Sequence, residues 1–184
     1  MKRNLLTVLA LMAASAVRAS LVANGGFETG SFSGWTQFGT AGYAISGNAH
    51  SGIRAGEFLQ TGSIGGIQQT LNVTLGQSYQ ITFWLFNTGG TGAEEFQLKW
   101  GGNTILDLVN PAAFGYTKFT QIVTGDGATD VLSFGFRQDP GFFLLDDVSV
   151  EAVPEPATVI AGVLLLLPLG IGAVRQFRHR ARAV

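Results

Sequence analysis

The chain has 184 residues, 46% hydrophobic and 12% charged, with 26 Gly and 14 Phe; that is room for one ordinary domain with appendages, and too apolar for a disordered or collagen-like polymer. It has no Cys and two His, which excludes a disulfide scaffold, a thiolate or multi-histidine metal centre and a Cys nucleophile. The formal charge of −1 hides a segregation: residues 20–153 carry only Arg54, Lys99, Lys118 and Arg137 against eleven acids, a net −7 between basic ends, so the body has no electrostatic footprint for nucleic acid and suits cations such as calcium.

In chain order, residues 1–19 read MKRNLLTVLALMAASAVRA. Lys2 and Arg3 lead into an apolar run, and small residues follow with Val17 and Ala19 at the −3 and −1 positions. This is the layout of a secretory signal peptide, with cleavage after Ala19 or Ala16. Residues 20–152 then form a body with little helical periodicity and many short alternating runs bounded by Gly, Asn and Asp. Strands are predicted over 35–38, 42–46, 56–61, 66–73, 78–87, 94–100, 104–109, 116–124, 130–137 and 142–151. Ten short strands without an internal repeat predict an all-β fold, an antiparallel two-sheet jelly-roll sandwich.

The alternation also predicts which faces are buried. Tyr79, Ile81, Phe83 and Leu85 share one face; Phe96, Leu98 and Trp100 share another, and Leu132, Phe134 and Phe136 a third. Phe outnumbers Trp plus Tyr by fourteen to six, pointing to core filling rather than exposed ring platforms. Trp35 is expected at the end of the sandwich and Trp100 in its core. Trp84, Phe86, Gln97, Lys99 and Arg137 fall on the less apolar phases, and they form the candidate glycan site: a ring to stack on a pyranose, with amide and guanidinium groups for its hydroxyls.

Catalytic patterns are scarce. The neighbours Glu94 and Glu95 point to opposite faces of a strand, so they cannot flank one glycosidic bond. There is no G-x-S-x-G, H-E-x-x-H or phosphate-binding glycine loop. His50 is the only body histidine, and beside Ser51-Gly52 it suits a turn or surface role better than that of a general base. The chain therefore reads as a non-enzyme. Glu28 near the start and Asp146 and Asp147 near the end are acids that a sandwich can bring together, either around a calcium ion or as turn caps on backbone amides. Asp146 shares the strand phase of Val148 and Val150 and is expected to turn inward; Asp147 shares that of Ser149 and is expected to be more solvated.

Asn24-Gly25-Gly26-Phe27-Glu28-Thr29-Gly30, then Ser33-Gly34-Trp35-Thr36, resembles the opening of galactose-binding-like carbohydrate-binding modules. The resemblance extends in order through His50-Ser51-Gly52, Ile67-Gln68-Gln69-Thr70-Leu71, Tyr79 and Leu145-Asp146-Asp147-Val148-Ser149-Val150. It implies a jelly roll, and a structural calcium carried over to Glu28 and Asp146 with backbone carbonyls around Ser51. The chain departs from the pattern at Gly26, where an acidic or polar residue is common.

The C-terminal part, 153–184, has three pieces in order. Pro154-Glu155-Pro156 comes first, its prolines holding the backbone extended and accessible. Residues 157–174 follow without a charge, long enough at about 1.5 Å per residue to form one transmembrane helix. Residues 175–184 hold Arg175, Arg178, Arg180 and Arg182, a tail that stays cytoplasmic by the positive-inside rule. The trio resembles the PEP-CTERM sorting signal of exported bacterial proteins. That implies recognition by an exosortase, removal of the span, and delivery to the cell surface or an exopolysaccharide matrix after a single-pass membrane stage; the alternative is a permanent anchor. The expected function is glycan binding outside the cell, with a ligand-free structural surface protein or a minor hydrolase as alternatives.

Overall fold

A computed structural model describes residues 19–40 and 42–154. Residues 1–18 of the signal-peptide segment, and the membrane-span segment with its basic tail, lie outside the described residues. The body has ten strands: β1 (Thr36–Phe38), β2 (Tyr43–Ser46), β3 (Ala55–Phe58), β4 (Gly65–Asn72), β5 (Ser78–Asn87), β6 (Glu94–Trp100), β7 (Asn103–Val109), β8 (Phe114–Thr124), β9 (Thr129–Gln138) and β10 (Phe143–Ala152). Each matches a predicted strand to within a few residues at its ends. They form two five-stranded sheets, β1-β4-β9-β6-β7 (the first) and β2-β3-β10-β5-β8 (the second), with every pairing antiparallel. Local chemistry sets the tightest hairpin. Trp100 pairs with Asn103 across Gly101-Gly102, whose φ values of 55° and 85° suit the positive-φ turn that matches strand twist.

The inward faces are those read from the alternation. Ile81, Phe83, Leu85, Phe96, Leu98, Leu132, Phe134 and Phe136 are wholly buried. Rings from the two sheets interlock: Phe58 stacks on Phe136 with centroids 3.9 Å apart, and Phe83 meets Phe134 edge-on at 5.2 Å. Trp35 and Trp100 are both buried, and the Trp100 indole N–H donates to Thr124 O. Truncating one of these rings to Ala costs about 3–5 kcal/mol in cores of this kind, so the interlock fixes the spacing of the sheets.

The chain's opening runs along its closing strand. The Leu21 N–H donates to Val150 O and the Val148 N–H to Gly25 O. A Cβ on Gly25 would lie 2.0 Å from Val148 O, so this approach admits only glycine. On β10 the register against β5 shifts between Asp146 and Ser149, a bulge that corrects the expected orientation of Asp146. Asp146 pairs with Trp84 and so lies on the outer side of the second sheet, while Val148 and Val150 beyond the bulge face the core. Asp146 is nonetheless wholly buried, because the loop at residues 50–51 covers it from outside.

Candidate functional site

The outer face of the first sheet carries a trough built row by row from strand register. Thr36, Gln68, Ser133, Lys99 and Thr104 form one row, running across β1, β4, β9, β6 and β7. The next row is Phe38, Gly66, Gly135, Gln97 and Asp107. Partners in register share a face; Gly66 and Gly135 stand mid-row without side chains, and Gly135 leaves open the space a side chain would fill. The result is a depression of about 310 Å³, lined among others by Phe38, Ile64, Gln68, Gln97, Lys99 and Ser133. A Cβ on Gly135 would come within 2.8 Å of Ile64 Cγ2. The Gln97 amide donates to Glu95 Oε1 at 2.6 Å, which holds its nitrogen there and leaves its carbonyl oxygen as the acceptor for a ligand.

The five residues expected to bind a glycan do not converge. Gln97, Lys99 and Arg137 stand on the first sheet; Trp84 and Phe86 stand on the outer face of the second, with the core between them. Only Gln97 and Lys99 line the trough, and Arg137 is held in an ion pair with Asp139 at 2.8 Å. Trp84 offers no open face on one side, because the His50 ring stacks on it at 3.6 Å. Gln68, Ser133 and the glycine floor were missed. Their outward phase was legible, but the strand order that sets them beside Gln97 and Lys99 was not. The geometry of Glu94 and Glu95 is as expected: Glu94 is buried and accepts from Asn87 Nδ2, while Glu95 faces outward.

A second constellation joins the opening, the 50–54 loop and β10. The backbone N–H groups of His50 and Ser51 donate to Asp146 Oδ2 (2.8 and 3.2 Å), and that of Asp147 to Asp146 Oδ1 (2.7 Å). His50 Nδ1 and Ser51 Oγ each donate to Asp147 at 2.6 Å. Glu28 Oε1 accepts the N–H groups of Ile53 and Arg54, both at 2.9 Å. Burial pushes the Asp146 carboxyl above its ordinary range, against the pull of the Ser51 amide. Burial, with the charges of Asp146 and Asp147, likewise raises the Tyr116 phenol, whose hydroxyl donates to Asn48 O.

For calcium the donor set has the right chemistry, since carboxylate oxygens of Asp146 and Asp147 lie together beside Gly26 with Glu28 nearby. Most of these oxygens already accept N–H or O–H donors, and among the described residues no group of three or more His, Cys, Asp or Glu stands in a metal-holding arrangement. As built, the junction is one of capped turns. Ser51 enters it through its N–H and hydroxyl. Of the sorting motif, Pro154 is exposed at the edge of the described residues; Glu155 and Pro156 lie outside them.

No protein-family model matches the chain, and no curated protein matches it by sequence. Solved structures do match. The TmCBM61 module, determined in complex with beta-1,4-galactotriose, is 20% identical with a TM-score of 0.59, covering 73% of this chain and 99% of that one. The CBM22-1 xylan-binding domain of Paenibacillus barcinonensis Xyn10C is 18% identical (TM-score 0.54; 71% and 92% covered). A xylan-binding domain from CBM 22 is 18% identical (TM-score 0.57; 73% and 96% covered). The fold is thus the all-β sandwich of carbohydrate-binding modules. The same fold also matches part of an arabinofuranosidase, 10% identical and with 26% of that chain covered.

Proposed function

We propose that the chain is an exported glycan-binding module that holds a polysaccharide segment in the trough of the first sheet, without catalysis of its own. The observation that carries this reading is the register itself. Two amides, a hydroxyl and an ammonium project from adjacent rows over a glycine floor. The rows cross five strands, about 19 Å at the usual strand spacing, which accommodates several sugar units. Neighbours of the same fold that bind galactotriose or xylan support the ligand class.

The test is binding of the full-length protein to an exopolysaccharide and glycan panel. Gln68→Ala and Gln97→Ala should each weaken binding about tenfold without lowering the melting temperature, each removing a hydrogen-bonding amide. Trp84→Ala should leave affinity unchanged. Loss in Trp84→Ala with no effect of Gln97→Ala would move the site to the second sheet. No glycan bound at all would favour a structural envelope or biofilm protein.

We also propose that the chain is exported, passes through a single-span stage, and is sorted by an exosortase at Pro154-Glu155-Pro156 to the cell surface or extracellular matrix. This rests on the order of the three C-terminal pieces in the sequence. Intact-mass measurement of released protein should show a species lacking residues 157–184; a released protein that retains them would leave only the permanent anchor. Calcium at the Glu28, Asp146 and Asp147 junction is proposed as a structural ion, its test given below.

A further inference from the structure

We infer that the trough selects glycans bearing an anionic substituent, a carboxylate or a sulfate ester, and that Lys99 is the group that reads it; this rests on the glycan-binding reading above. Among the described residues, Lys99 is the one charged residue lining the depression. Its cross-strand partners are Ser133 and Thr104, with Gln68 beyond Ser133; none is an acid. The one Lys or Arg ion pair among the described residues is Arg137–Asp139, so the Lys99 ammonium has no carboxylate partner among the eleven acids of the body.

The acids on the same face are placed where they do not occupy it. Glu95 accepts the Gln97 amide, and Asp107 stands on β7, at the sheet edge. A substituent over Ser133 and Gln68 has Lys99 between itself and that edge. There it accepts charge-assisted hydrogen bonds from the ammonium and neutral ones from the Ser133 hydroxyl and the Gln68 amide.

The experiment compares the affinity of the full-length protein for polygalacturonate, a sulfated galactan and neutral galactan, at low and physiological salt. The inference expects one of the charged polymers to bind at least about tenfold tighter than the neutral one. Lys99→Gln should abolish that preference, bringing the charged and neutral polymers to the same affinity, and Lys99→Arg should keep it. Lys118→Gln, on the opposite sheet, should change nothing. Preference for polygalacturonate assigns the substituent as carboxylate, and preference for the sulfated polymer assigns it as sulfate. Equal binding of all three, or a preference that survives Lys99→Gln, overturns the inference and leaves the glycan-binding reading standing. Binding of none overturns both.

Discussion

Asp146 illustrates how a single carboxylate can replace a stretch of sheet hydrogen bonding. Its two oxygens take three backbone N–H groups, from His50, Ser51 and Asp147, at the point where the β10 ladder breaks. Asp146→Ala leaves those donors without their acceptor, and since an orphaned buried group costs about 1–3 kcal/mol and these three are only part-buried, a total loss of about 1–3 kcal/mol is expected in chemical denaturation. A change under 1 kcal/mol would mean that the loop finds other acceptors. Asp139 makes a different case, at the surface. The Gly62 amide, and then Arg137, hold its carboxyl below the ordinary range. A depressed acid contributes stability that is present above its unfolded pKa and is lost as pH falls through the folded one. The melting temperatures of wild type and Asp139→Asn should therefore differ at neutral pH and converge on acidification below the ordinary carboxylate range. A constant difference would assign the effect to hydrogen-bond geometry rather than charge.

At the scale of strands, the two mid-row glycines, Gly66 and the trough-lining Gly135, separate folding from binding. A Cβ on Gly66 would lie 1.8 Å from Phe134 O, a backbone atom that cannot give way. Gly66→Ala is expected to destabilise by about 1–3 kcal/mol, typical of a forced backbone shift. At Gly135 the obstacle is a side-chain methyl, Ile64 Cγ2, rather than backbone, so Gly135→Ala should destabilise less than Gly66→Ala and weaken glycan binding by narrowing the trough. If Gly135→Ala binds like wild type, the floor is not in contact with ligand. These rows also mark where sequence reading stops. Strand positions and inward faces were legible because a period of two and turn chemistry are local signals, as along β5 and β6. Pairing partners are not local. That β9 lies between β4 and β6, setting Ser133 beside Lys99 and parting Trp84 from Gln97, follows from packing of the whole chain. The β10 bulge was hidden for the same reason, since one extra residue leaves no mark in composition and reverses the phase that Asp146 was expected to share with Val150.

For the molecule as a whole, the question is what holds the beginning and end of an acidic, disulfide-free sandwich together. The opening residues lie along β10 through bonds such as Leu21 N–H to Val150 O, and Glu28 reaches the 50–54 loop that covers Asp146. The acids at this junction carry little compensating charge, since their partners are amides, a hydroxyl and His50. A calcium ion held by Glu28, Asp146 and Asp147 would neutralise them, and because only the folded chain presents the three together, it would stabilise the fold by about 2.7 kcal/mol at a hundred times its dissociation constant. For a body of 134 residues (20–153) that corresponds to a shift on the order of 10 °C in melting temperature. The full-length protein should therefore melt lower in chelator than in millimolar calcium, and Asp146→Asn should remove the difference. Magnesium should substitute poorly, since it demands a smaller and stricter octahedral shell. Identical melting with and without chelator, with no calcium by elemental analysis, would establish the amide-capped junction as sufficient to close the sandwich.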